Sequence, residues 1–441
     1  DGFRALATCA PLAELPGLWP EVCRDAAAQP EVLPWALLRE VTAFIIWRGL
    51  QDDAMALVPP SHGQMRPSEA VLAAESNVKK LLQMPSVWAR RLEEQGAAQM
   101  AVLWLACIDE TCASYWREWD KLVETFRNTL EQKRPAEGAA AGPADCAYDP
   151  ALLNESMQLH SMLHDSIPTQ FAHFQTEVFQ LAVRMRTTCE SPFGQALEAK
   201  LRDPGAWCDS LAVPSPEALR SAHGTLEGAS PSSAAYATRL AHALPASAAA
   251  LAGVEKQVKE VVTQCCVLPV VTALSAYSKV PEWTRAGEVL PIAGGVLPLQ
   301  FVTLVGEHLF SLVPQLERSQ DANQPQWLPT ILEAVVEITV KKVLQIKQLT
   351  PLGAQQLVVD LEYLQKVTDA LSSGAAPGAD GAEGGKTSQL GEILEALSFL
   401  SVQQRRQQEC AAKGEAFVEG QREGLPIGRQ IERPLRAAMG L

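Results

Sequence analysis

One stretch limits the fold more than any other. Residues Leu344–Leu371 read LQIKQLTPLGAQQLVVDLEYLQKVTDAL. Thr350 stands where a helix N-cap belongs and Pro351 at the first helical position, where a missing N–H costs nothing. Leu357, Leu361, Leu364, Val367 and Leu371 then recur at spacings of four, three, three and four, which places them on one stripe of an α-helix. Asp360, Glu362, Lys366 and Asp369 are expected off that stripe, with Glu362 one favourable turn before Lys366. Such a stripe has to be buried against other helices. Nothing on it is equipped to make or break bonds.

The same 3.6-residue rhythm recurs along the chain, and no segment shows the alternation of a strand or an internal repeat of fixed period. The fold expected is all-α, an elongated stack of antiparallel helical bundles. Residues 1–133 are expected to form a bundle with one long helix over Ser86–Lys133, weakest at Gly96. Before it come a buried helix over Pro34–Leu50 and another starting near Ser68. Residues 134–148 read as a linker from their Ala, Gly and Pro content. Residues 149–202 form a helical segment, interrupted at Pro168. Residues 203–250, rich in Pro, Ser and Ala, are expected to be loops with short helices. Residues 251–441 form a carboxy-terminal bundle. Within it a helix kinks at Pro269, another runs from Pro298 to a stop at Pro314, and a third covers Ile331–Ile346. The segment 372–388 is too poor in apolar residues to order itself, and a helix over Leu390–Gln408 precedes a basic tail.

The 441 residues are 47% apolar, enough for substantial cores. A formal charge of −14 argues against nucleic acid and against broad docking on anionic lipid. Ten scattered cysteines without a C-x-x-C pair fit reduced thiols better than a disulfide framework. The most apolar run, Val41–Trp47, is far shorter than the ~20 residues of a membrane span, so any membrane association is expected to be peripheral. One glycosylation sequon occurs, Asn154-Glu155-Ser156. The chain opens on Asp1, and a preceding amino-terminal portion is expected.

The search for chemistry yields few candidates. His160 and His164 lie four apart, the spacing of two zinc ligands on one helix face. The residues between them, Ser161-Met162-Leu163, include no general-base glutamate. Against a metal stands the plainer reading of two histidines on a partly solvated face, and no metal ligand is assigned. His173 lies beyond Pro168. Cys265 and Cys266 are adjacent, so at most one is expected on a buried stripe. Gly294-Gly295 lacks the surroundings of a phosphate-binding loop. Trp104, Trp116 and Trp119 read as core. Arg405, Arg406, Arg422, Arg429, Arg433 and Arg436 make the carboxy-terminal end basic, read as a solvated face with a membrane or partner role as the alternative. No catalytic residue, cofactor or small-molecule substrate is assigned.

The pattern Leu344-Gln345-Ile346, Leu349-Thr350-Pro351, Gln356-Leu357, Asp360, Tyr363-Leu364, Val367 and Asp369-Ala370-Leu371 resembles the carboxy-terminal signature of subunit 7 of the conserved oligomeric Golgi complex. Trp283, Leu297-Pro298-Leu299, Phe301, Val305-Gly306, Leu309, Leu312 and Leu316-Glu317 are similar to the segment before that signature. Gly424-Leu425-Pro426 with Arg429 resembles the family's final residues. The resemblance covers about the last third of the chain, with a fainter echo back to Leu105. It implies a helical-rod tether subunit, peripheral on the cytosolic face of Golgi membranes. It further implies a role in intra-Golgi retrograde vesicle transport and in the upkeep of glycosylation enzymes. The partners it implies are subunits 5, 6 and 8 of the complex, with SNAREs and Rabs also in view. It implies no cofactor and no catalytic residue. Departures are the 372–388 segment, where the family's connection is shorter, and the missing amino-terminal portion. An exocyst-like tether and an all-α metalloprotein built on His160 and His164 are the alternative readings.

Overall fold

The computed structural model describes residues 46–47, 49–58, 67–94, 101–134, 149–188, 214–229, 235–285, 297–318, 327–373, 387–413 and 429–439. These residues are all-α, with no strand among them. The helices are α1 (Pro67–Leu81), α2 (Pro85–Glu94), α3 (Ala101–Gln132), α4 (Pro150–Ser161), α5 (Ile167–Thr188), α6 (Pro216–Leu226), α7 (Tyr236–Ala241), α8 (Pro245–Ala273), α9 (Gln300–Arg318), α10 (Trp327–Val343), α11 (Pro351–Ser373), α12 (Thr387–Lys413) and α13 (Arg429–Met439). Residues 1–127 with 158–259 form one compact unit, and 128–157 with 260–441 a second.

The first unit is organised on α3. Trp104, Tyr115, Trp116 and Trp119 are all buried to within 1%, as their helical spacing predicts for core residues. Trp116 lies edge-on to Trp119 at 5.5 Å and to Phe171 of α5 at 6.5 Å. Trp88 of α2 meets Phe174 at 6.5 Å, nearly perpendicular, and its indole N–H donates to Asp53. Aromatic pairs at such angles add about 0.5–1.5 kcal/mol each beyond their buried area. Asp109 of α3 accepts the Ala246 and Ser247 backbone N–H groups at 3.1 and 2.8 Å and so caps the start of α8. Burial raises the Asp109 carboxyl above its usual range, and the two N–H bonds at the helix start oppose that rise.

In the second unit α11 packs against α9, α10 and α12, and α12 against α10 and α13. The expected stripe is the buried face of α11: Leu357, Leu361, Leu364, Val367 and Leu371 are all buried. Thr350 caps the helix, its hydroxyl accepting from the Gly353 N–H at 3.1 Å.

Several boundaries differ from the expectation. Pro168 does not interrupt the helix. A π-helical turn, Met162–Ser166, joins α4 to α5, and the Ile167 N–H reaches back to the Met162 carbonyl. A proline ring crowds the carbonyl four residues earlier and offers it no hydrogen, and one widened turn absorbs both effects. Pro314 does not stop α9, which runs to Arg318. Phe310 and Ser311 on that turn are exposed, so water can replace the missing bond. Helix α8 begins at Pro245, six residues before the expected return of helix at Leu251. The basic tail contains helix α13, with Leu435, Ala438 and Met439 buried. Cys265 and Cys266 are both buried, because this part of α8 is covered on more than one side. Helix α11 extends through Ser373 and α12 starts at Thr387. The rest of the 372–388 segment, most of Pro34–Leu50, Gly96, Gly294-Gly295 and nearly all of the 134–148 linker lie outside the described residues.

Among the described residues one helical stretch, Pro245–Thr284, is long and apolar enough by composition to cross a membrane, with a mean hydropathy of 1.5. Yet 67% of that window is buried inside the protein, as in a soluble core helix.

Candidate functional site

The residues that carry the family resemblance meet at one node in the second unit. Its centre is Asp360, which is fully buried although its position between leucines had predicted a place off the stripe. Three donors converge on its carboxylate: the Tyr277 hydroxyl at 2.8 Å, the Leu299 backbone N–H at 2.9 Å and the Gln356 amide at 3.0 Å. Gln356 also donates to the Leu297 carbonyl at 2.9 Å. The Trp283 indole donates to the Tyr277 carbonyl, and the two rings meet edge-to-face at 5.0 Å. The Trp283 carbonyl in turn accepts from the Thr350 backbone N–H. One carboxylate thus ties the 3₁₀ turns after α8 and the lead-in to α9 onto α11.

Two glycines let these elements approach. A Cβ on Gly353 would lie 2.6 Å from the Trp283 carbonyl oxygen, and one on Gly306 would strike the Tyr363 ring. Burial pushes the Asp360 carboxyl up to about 6, against the pull of its three donors. Tyr277 is pushed well above its usual range by burial and by the neighbouring carboxylate. Each of these groups has a partner that holds it in place, and together they read as a structural clasp.

An open cleft nearby is lined by Ser275, Lys279, Trp283, Lys342, Gln345 and Lys347 among others. Its described lining offers lysines, serines and amides, with no carboxylate, histidine or thiol beside them. The cysteines with described side chains, Cys107, Cys112, Cys265 and Cys266, are free and buried. Burial raises the thiol of each, that of Cys265 to about 11, which removes the thiolate needed for reactivity. The sequon lies within α4, where Ser156 is buried and donates to the Leu153 carbonyl.

His160 and His164 do share a face. Their rings stack at 5.5 Å with 21° between planes. The structure adds a third group, Glu255 of α8, whose carboxylate lies 2.7 Å from His164 Nδ1. One ligand atom from each of the three falls within 4.8 Å of the others. No sequence pattern announced Glu255, which is 91 positions from His164 on a different helix. Burial and the adjacent His164 ring push His160 down to about 4, so it is neutral at physiological pH. His173 is exposed on α5 and does not join the group. At the basic end, Arg406 and Arg433 are exposed and Arg436 is half-buried on the docked helix α13. The side chains of Arg405, Arg422 and Arg429 lie outside the described residues.

No family model matches the chain. Among curated proteins it is similar to conserved oligomeric Golgi complex subunit 7 of Arabidopsis thaliana, 30% identical over 153 residues, which is 31% of this chain and 18% of that protein. The subunit 7 of Homo sapiens is 26% identical over 167 residues, 29% of this chain and 21% of that protein. That of Bos taurus is 25% identical over 169 residues, 30% of this chain and 21% of that protein. The matched stretch spans only about a fifth of the length of these relatives. Over about 30% of its residues, then, this all-α chain is similar to subunit 7 of the conserved oligomeric Golgi complex.

Proposed function

We propose that this chain acts as a scaffold subunit of a multi-subunit Golgi tethering complex, in intra-Golgi retrograde vesicle transport and the upkeep of glycosylation enzymes. The observation that carries this reading is the similarity to three subunit-7 proteins from a plant and two mammals. The clasp around Asp360 supports it, because the residues of the family pattern serve to hold helices together and leave the work to surfaces. Such a protein functions by assembly, with helix faces buried against partner helices over about 1,200–2,000 Å². Exposed apolar side chains such as Leu297, Phe310 and Val402 are the kind of group those contacts cover. The partners proposed are subunits 5, 6 and 8, with SNAREs and Rabs met through the complex. The place proposed is the cytosolic face of Golgi membranes, held peripherally, and no enzymatic step is assigned.

Affinity purification from cells of the source organism, followed by mass spectrometry, tests this. Recovery of the other Golgi-complex subunits is the expected result. Recovery of exocyst subunits, or of no tether subunit at all, overturns it.

A further inference from the structure

A second site, in the first unit, has no part in the clasp or in the proposed tethering role. Its parts are the histidine pair at the junction of α4 with the π turn, and the α8 carboxylate that faces them. We propose that His160, His164 and Glu255 bind a zinc-class divalent ion that pins the π turn to α8.

The donor set is two imidazoles and one carboxylate. That is the three-ligand set of an open zinc site, whose fourth position is taken by water. Calcium or magnesium would ask for six or more oxygens, which this site does not offer. Zinc–nitrogen and zinc–oxygen bonds of about 2.0–2.2 Å place tetrahedral ligands about 3.3 Å apart. The three ligand atoms already lie within 4.8 Å of one another, and the closest pair stands at 2.7 Å. His164 and Glu255 are both partly exposed, which gives their side-chain ends room to turn toward that spacing.

The His160 ring is buried and stacked at 5.5 Å on that of His164, so both imidazoles can offer lone pairs to one cation held between them and Glu255. Asp165 and Lys259 also face His160, and Asp165 is engaged by the Ser161 hydroxyl. The backbone between the two histidines enters a π turn, a geometry found disproportionately at functional sites.

The test uses the full chain, purified with its thiols reduced and stripped by chelator, and titrated with Co²⁺ and then Zn²⁺. The expected result is one cobalt per chain with visible absorption of a tetrahedral nitrogen–oxygen site, displaced by zinc. No near-ultraviolet thiolate-to-cobalt band should appear, which separates this site from the cysteines. Zinc should also raise the melting temperature of the wild-type chain. Glu255→Gln keeps a hydrogen-bonding group beside His164, so its fold is expected to survive. It and His160→Ala should each weaken binding by more than about a hundredfold, beyond the 10–100-fold typical of outer-shell changes. Circular dichroism checks that the variants are folded. Absence of stoichiometric metal in the wild-type chain, a thiolate band, or unchanged affinity in folded variants each overturns the proposal.

Discussion

The carboxylate at the centre of the clasp makes a prediction about acid and stability that a simple salt bridge would reverse. Asp360 is fully buried and its pKa is raised from 3.8 to about 6. The folded protein therefore holds this proton more tightly than the unfolded chain does. Its contribution is complete below about pH 4 and is lost as pH rises past about 6. The rise in pKa corresponds to about 3 kcal/mol across that window. Asp360→Asn keeps an oxygen for the Leu299 N–H and the Gln356 amide, and the Tyr277 hydroxyl can turn to accept from the new amide. The variant no longer ionises, so relative to wild type it should gain about 3 kcal/mol between pH 4 and pH 7. Asp360→Ala leaves the Tyr277 hydroxyl and the Leu299 N–H without an acceptor, while Gln356 keeps the Leu297 carbonyl, and should cost about 2–6 kcal/mol, at about 1–3 kcal/mol for each unmet buried group. Urea unfolding of the three proteins at several pH values measures both effects. Hydrogen exchange at the Leu299 amide confirms that the change is local. If wild type and Asp360→Asn run parallel from pH 4 to 7, the burial argument is wrong. If Ala costs no more than Asn, the donors do not depend on this carboxylate.

The two close-approach glycines should differ in consequence. Gly353→Ala drives a methyl into the Trp283 backbone and should cost about 2–3 kcal/mol, whereas Gly306→Ala meets a tyrosine ring that can swing aside and should cost about 1 kcal/mol. Equal losses in thermal unfolding would refute the distinction between backbone and side-chain obstacles. Asp109→Ala removes the acceptor for two N–H groups at the start of α8 and should cost about 2–3 kcal/mol, with Asp109→Asn recovering part of it. Retained protection of the Ser247 amide in hydrogen exchange would count against that role. Helix α13 already buries Leu435, Ala438 and Met439, which takes these apolar side chains away from any lipid surface. The purified chain is expected not to float with anionic vesicles more than with neutral ones. Flotation that is lost in Arg406→Ser with Arg433→Ser would show that the basic end binds membranes after all.

Local features were legible in the sequence and long-range pairings were not. The stripe of α11, the Thr350 cap and the tryptophans of α3 follow from helical periodicity and from cap chemistry, which involve neighbours three or four residues away. The burial of Asp360 depends on Tyr277, 83 positions earlier, and the third group beside the histidine pair on a glutamate in another helix. Neither leaves a trace in a local pattern. The prolines misled for a related reason. Their intrinsic effect is to end helices, but packing around α5 and α9 outweighs the roughly 3 kcal/mol of that preference.

The wide turn at 162–166 has a consequence for how this region can be compared with its relatives. One surplus backbone position in a helix advances everything after it by about 100°. Within the first unit, the buried Phe171, Phe174 and Val178 of α5 therefore sit about 100° round the axis from where an unbroken α-helix through His160 would carry them. A relative with a plain α-helix here and one residue fewer would present its α5 at the same angle, so a gap of one at this point would be the mark of the lost π turn.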